Sequence, residues 1–159
     1  MRKPARGSRT RLAERLLLFI AADAPMAGTG KNRGFGASLR NAIKGLAFAL
    51  LSERNFRIEL VMFALAIALG ILLAIDRLEW LVVLLNGFFV LALEAKNSSL
   101  ELSVNLSTEG FDYGAKGAKD MASGAVLLAA VSALITGGLV FGPRLLKIAQ
   151  ALLAGAGGL

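Results

Sequence analysis

The sequence predicts an all-α integral membrane protein, a helical bundle of three transmembrane helices preceded by an amphipathic surface helix. Three observations carry that fold class. Hydrophobic residues make up 56% of the 159 residues and charged ones 18%, against roughly 45–50% and about 25% in soluble domains. Three apolar runs without charge, residues 60–75, 81–93 and 121–142, are separated by short charged stretches. Twelve of the 18 Lys and Arg fall within residues 1–57, beside only three acids. The length suits one domain. Cys and His are both absent, which excludes disulfides, a His- or Cys-based zinc site and a histidine general base. The formal net charge of +7 points to nucleic acid or anionic lipid. The hydrophobicity favours lipid. The basic residues lack interleaved aromatics, so no nucleic-acid partner is expected.

Residues 1–34 read as a flexible basic extension. Its Arg-rich start, the apolar stretch 16–22 and Ala22-Asp23-Ala24 resemble a signal peptide, but Glu14 and Arg15 interrupt it and the apolar core is short. Met26 is an alternative translation start. Leu39, Ile43, Leu46, Ala47 and Leu50 then recur at helical spacing opposite Ser38, Arg40 and Lys44. That pattern predicts an amphipathic helix on an anionic inner leaflet, with a helix on a protein core as the alternative. Spans are expected over about 58–76, 78–105 and 119–142. The last, closed by Pro143, gives roughly 33 Å at about 1.5 Å per residue, enough for a bilayer core of about 30 Å. Asn86 interrupts the second run, for which a buried core helix is the alternative. Residues 144–159 form an Ala/Gly/Leu-rich tail with no assigned function.

The basic excess puts the N-terminus and the loop near 106–120 in the cytoplasm and the 76–80 turn outside, with Trp80 at the outer interface. Arg144 and Lys147 then fall outside, a mild violation of the positive-inside rule. Ionisable groups at membrane depth are costly and usually functional. Glu94, Asn97, Glu101 and Asn105 form one helical stripe bordered by Ser98. Glu53, Arg57 and Glu59 lie where the first span begins, and Lys119 and Asp120 where the third begins. All three sets fall at the cytoplasmic side and can converge. Two Glu from different helices, without His or Cys, make a hard oxygen-ligand set suited to Mg²⁺, which commonly binds one or two carboxylates plus substrate phosphates. A third Glu can deprotonate a hydroxyl, and Lys119 can hold phosphate oxygens. That set describes phosphoryl transfer. Interhelical salt bridges and hydrogen bonds that glue the bundle are the other reading. Gly28-Thr29-Gly30-Lys31 lacks the upstream glycine of a Walker A motif.

At these residues the chain resembles the prokaryotic diacylglycerol kinase family. Ser52-Glu53-Arg54-Asn55-Phe56-Arg57-Ile58-Glu59 is similar to its E-x-x-F-R-x-E segment. Glu94-Ala95-Lys96-Asn97-Ser98-Ser99-Leu100-Glu101 is similar to its E-x-x-N-[ST]-A-[IL]-E motif. Ala118-Lys119-Asp120-Met121-Ala122-Ser123-Gly124-Ala125-Val126 resembles its A-K-D-x-[AG]-[AS]-[AG]-A-V opening of the third span. The resemblance covers about residues 35–143.

It implies a small kinase of the bacterial inner membrane, a homotrimer of three-span subunits that transfers the γ-phosphoryl of ATP to a lipid hydroxyl with Mg²⁺. Carried over by motif position, Glu94 is the catalytic base, and Glu53 and Glu101 hold the metal on ATP. Lys119 and Asp120 contact ATP, and Asn41 falls where the family contacts nucleotide. Phe56, Arg57, Glu59, Asn97 and Ser98 shape or support the substrate site. Asn105 departs from the Asp usual in the family, and Lys96 from an apolar residue. The acceptor is undecaprenol or diacylglycerol. The Glu53-Arg54-Asn55-Phe56 run, Leu78-Glu79-Trp80 and Gly142-Pro143-Arg144 look more like the undecaprenol kinase branch. A catalytically degenerate or scaffolding bundle is the competing function, against which stand three costly carboxylates kept in place.

Overall fold

The computed structural model describes residues 34–108 and 110–156. Among them the chain forms four helices, α1 (Phe35–Ser52), α2 (Arg54–Leu72), α3 (Arg77–Ser107) and α4 (Tyr113–Ala156). The extension expected over residues 1–34, with its leader-like stretch and Met26, lies outside the described residues except for Gly34. Two compact units divide the chain, one ending at Arg54 and the other beginning at Asn55.

The first unit contributes α1. Gly34 precedes it at φ 137°, a conformation that side-chain-bearing residues rarely adopt. Glu53 ends it by turning extended, while its backbone N–H still donates to Ala49 O at 2.9 Å. Phe35, Leu39, Ile43, Leu46 and Leu50 are exposed along it.

In the second unit, α2, α3 and α4 are each long and apolar enough to cross a membrane. Two local devices join α2 to α3. Ile75 N–H donates to Gly70 O and Ala74 N–H to Ile71 O, both at 3.2 Å, with Ala74 at φ 47°. This is a Schellman stop, and Ile75 packs back toward Gly70, a contact that often accompanies the motif. Asp76 then caps α3, accepting from the N–H of Leu78 and Glu79 at 2.8 and 2.9 Å, while Glu79 accepts from the Asp76 N–H at 2.8 Å. That reciprocal box satisfies donors which a helix start otherwise leaves orphaned.

Packing is tightest at this end. Ile75, Val83, Val140 and Phe141 form the core, with Ala66, Leu69, Leu73 and Trp80 against it. Phe63 lies over Gly87, where an added Cβ would sit 2.1 Å from the ring. Its ring also meets Phe88 edge-on, with centroids 5.1 Å apart.

The third long helix is longer than the span expected over 119–142. It begins at Tyr113 and continues through Pro143 to Ala156, so most of the expected tail is helical. Proline removes one N–H and crowds the preceding turn, which apolar spans tolerate when side chains re-satisfy the freed groups. The carbonyl that Pro143 frees is that of Leu139, and its neighbour Val140 O accepts from Arg144 Nη1 at 2.9 Å.

Candidate active site

Glu94 and Asn97 are the buried polar residues of the described chain, at 3% and 8% exposure. Both stand on α3, where the apolar run gives way to the polar stripe. Ser123 Oγ of α4 lies 3.5 Å from Asn97 Oδ1, a long contact. Further along the stripe Glu101 and Ser98 are half-buried and Asn105 is exposed. Lys119 Nζ donates to Asn105 Oδ1 at 3.2 Å, so the third motif meets the polar stripe beyond the second. Asp120 instead faces solvent and pairs with Lys116 one turn earlier.

From α2, Phe56 is buried and Arg57 exposed. Glu59 reaches the interior, and its Oε2 is buried without a hydrogen-bond partner. Glu94 is the charged neighbour that acts on it electrostatically. Glu59 stands in the wall of a groove of about 300 Å³. Met62, Phe63, Val83, Val90, Ala133 and Phe141 line much of the remainder. Asn86 and Thr136 also reach it, but they bond to each other at 3.3 Å, and Ser132 Oγ donates to Asn86 Oδ1 at 2.9 Å. Glu59 is thus the charged residue in the wall of an otherwise largely apolar groove.

Asn41 and Glu53 belong to the first unit. Asn41 is exposed on α1. Glu53 is half-buried at the end of α1, with Ser52 Oγ 3.2 Å from its Oε1. For Mg²⁺, the donors expected from sequence are carboxylate oxygens of the right hardness. Among the described residues no three acidic side chains gather into a metal-binding group.

Two arrangements were not anticipated from sequence. Arg144 forms a two-pronged pair with Glu79, at 2.7 and 2.8 Å. Asn86 is held by Ser132 and Thr136. The signal for the second is a lone amide in one apolar run and two hydroxyl residues one turn apart in another.

The sequence profile described as Prokaryotic diacylglycerol kinase matches residues 40–141. A diacylglycerol kinase of Synechocystis sp. is 38% identical over 112 residues, which is 70% of this chain and 64% of that one. The chain therefore spans just under two thirds of that relative's length. An undecaprenol kinase of Bacillus subtilis is 34% identical over 113 residues, covering 70% of this chain and 90% of its own. A diacylglycerol kinase of Helicobacter pylori is 38% identical over 104 residues, 65% and 78% of the two chains. The chain belongs to the prokaryotic diacylglycerol kinase family, a family of lipid kinases.

Proposed function

We propose that this protein phosphorylates the hydroxyl of a membrane lipid with ATP and Mg²⁺. The observation that carries this reading is the buried Glu94 within electrostatic reach of Glu59, a carboxylate in the wall of an apolar groove. A carboxylate pair that meets an apolar groove suits an alcohol delivered from the bilayer. Glu94 takes the hydroxyl proton as the oxygen bonds to the γ-phosphorus and ADP leaves. Glu53 and Glu101 would hold the metal on ATP, while Lys119, Asp120 and Asn41 would contact the nucleotide. Bound Mg²⁺ supplies charge neutralisation at the phosphates. Phe56, Arg57, Asn97 and Ser98 support the walls of the site.

The acceptor we favour is a single-chain alcohol such as undecaprenol, as the Glu53-Arg54-Asn55-Phe56, Leu78-Glu79-Trp80 and Gly142-Pro143-Arg144 runs suggest. A diglyceride brings a second chain and two ester carbonyls. The groove's amide and hydroxyl groups are already engaged with one another, and unpaired polar groups in an apolar site are costly.

The active end faces the cytoplasm of a bacterial cell, with α1 on the inner leaflet and residues 35–143 as the kinase domain. In that orientation the outer Arg144 pairs with Glu79, and Arg144 and Lys147 are outweighed by the twelve basic residues of 1–57. Neighbouring subunits of a homotrimer complete the site. Transfer from labelled ATP into mixed micelles, offering undecaprenol and diacylglycerol separately, tests the activity. Label is expected in the polyprenol first, and label in neither lipid would refute the reading.

A further inference from the structure

Polar contacts cross from α3 to α4 at four levels. Glu79 meets Arg144, Asn86 meets Ser132 and Thr136, Asn97 meets Ser123, and Asn105 meets Lys119. Partner numbers fall along α4 as they rise along α3, so the helices run antiparallel. The second level lies within the apolar runs of both helices. There Asn86 Nδ2 donates to Val82 O at 3.0 Å and to Thr136 Oγ1 at 3.3 Å, and Oδ1 accepts from Ser132 at 2.9 Å.

An amide in hydrocarbon is costly unless satisfied. Ser132 and Thr136 stand one turn apart and bracket it, so both bonds form in one axial register only. Much of the surrounding α4 surface is small, with Ala129, Ala130, Ala133 and Gly137, and a smooth surface resists sliding poorly. A single buried amide is a well-attested register device between helices. The register matters at the far end of the same rigid helix, where Lys119 reaches Asn105.

We propose that Asn86, clasped by Ser132 and Thr136, is a positioning residue for phosphoryl transfer: it fixes the height of α4 on α3 and so holds Lys119 against the polar stripe of α3. The inference rests on the reading of Lys119 as a phosphate contact. Misplacements of about 1 Å can cost about 10²-fold in rate, and a slip of one turn is about 5.4 Å.

The chain has no Cys, so paired cysteines report the register directly. In full-length protein, Asn105→Cys is combined with Lys116→Cys, Lys119→Cys or Ser123→Cys, and cross-linking is compared with and without Asn86→Leu. The 105–119 pair should dominate when Asn86 is present and lose that dominance in the Asn86→Leu background. In cysteine-free protein, N86L should raise the ATP KM about tenfold, an effect within the range for a misplaced group. The swap N86S/S132N, which returns an amide to the same level, should recover the ATP KM. An unchanged cross-linking pattern in N86L overturns the proposal, as does a shifted pattern with unchanged ATP KM. Lys119→Ala, measured alongside, separates the two readings: an unaltered ATP KM there refutes the phosphate contact itself.

Discussion

Glu94 illustrates what one residue can and cannot do. A lipid alcohol is a very weak acid, and an ordinary carboxylate is a poor base for it in water. Proton loss must therefore accompany O–P bond formation, where base strength matters modestly and position matters most. Glu94→Asp keeps the charge and withdraws it by about one methylene, so kcat should fall roughly 10- to 100-fold with the ATP KM little changed. Glu94→Gln should cost about 10²- to 10⁴-fold, the usual range for general-base catalysis. Turnover near normal in Glu94→Gln would make Glu94 a structural carboxylate. Glu101→Gln, by contrast, should abolish turnover and weaken Mg-ATP binding, whereas Glu94→Gln should leave ATP binding intact; equal loss in both contradicts the division of roles. Carboxylates such as these were legible in the sequence because their charge stands out against apolar neighbours. The orphan oxygen of Glu59 was not, because it depends on which groups approach from α3 and α4.

At the scale of helices, the close contact of α2 with α3 depends on Gly87. The Phe63 ring occupies the place where a Cβ would be. Gly87→Ala must therefore push Phe63 into the groove or part the helices, at about 1–3 kcal/mol, the usual cost of overpacking. Thermal unfolding in detergent should show the loss, together with weakened lipid binding. At Gly45 of α1 an added methyl meets nothing, so Gly45→Ala should be neutral or slightly stabilising. Equal effects at both positions would deny Gly87 its special contact. Helix existence and type followed from the apolar runs. The end of α4 did not, because a proline in sequence signals a break, and only the fold shows Arg144 reaching back to the carbonyl of Val140. The turn at 73–76 was legible from Asp76 and Glu79 as a capping pair only once its position between two helices was known. Ala74 there carries a positive φ, a conformation that costs about 1–2 kcal/mol for residues with a Cβ. Ala74→Gly should accordingly raise the unfolding midpoint, less the extra entropy glycine gains when unfolded.

For the whole molecule, the proposed chemistry sets the demand on assembly. A site for ATP and a lipid together needs enclosure that excludes water. One face of α4 has room to supply it: a Cβ at Gly124, Gly138 or Gly142 would meet nothing, and small residues are what let membrane helices approach closely. Apolar side chains exposed along the same helix, among them Leu127, Leu134 and Leu139, are suited to lipid or to a neighbour of the same kind. Self-association through this face would close the proposed site, and closed symmetric rings are the economical way to bury a repeated surface. The expected assembly is the homotrimer, with active sites between adjacent subunits. Native mass measurement in mild detergent should return three copies, and phosphotransfer should disappear as the detergent is raised until one copy remains. Gly138→Leu, which adds bulk on that open face, should lower the trimer fraction and the activity together. A monomer that keeps full phosphotransfer would show that one chain encloses the reaction by itself.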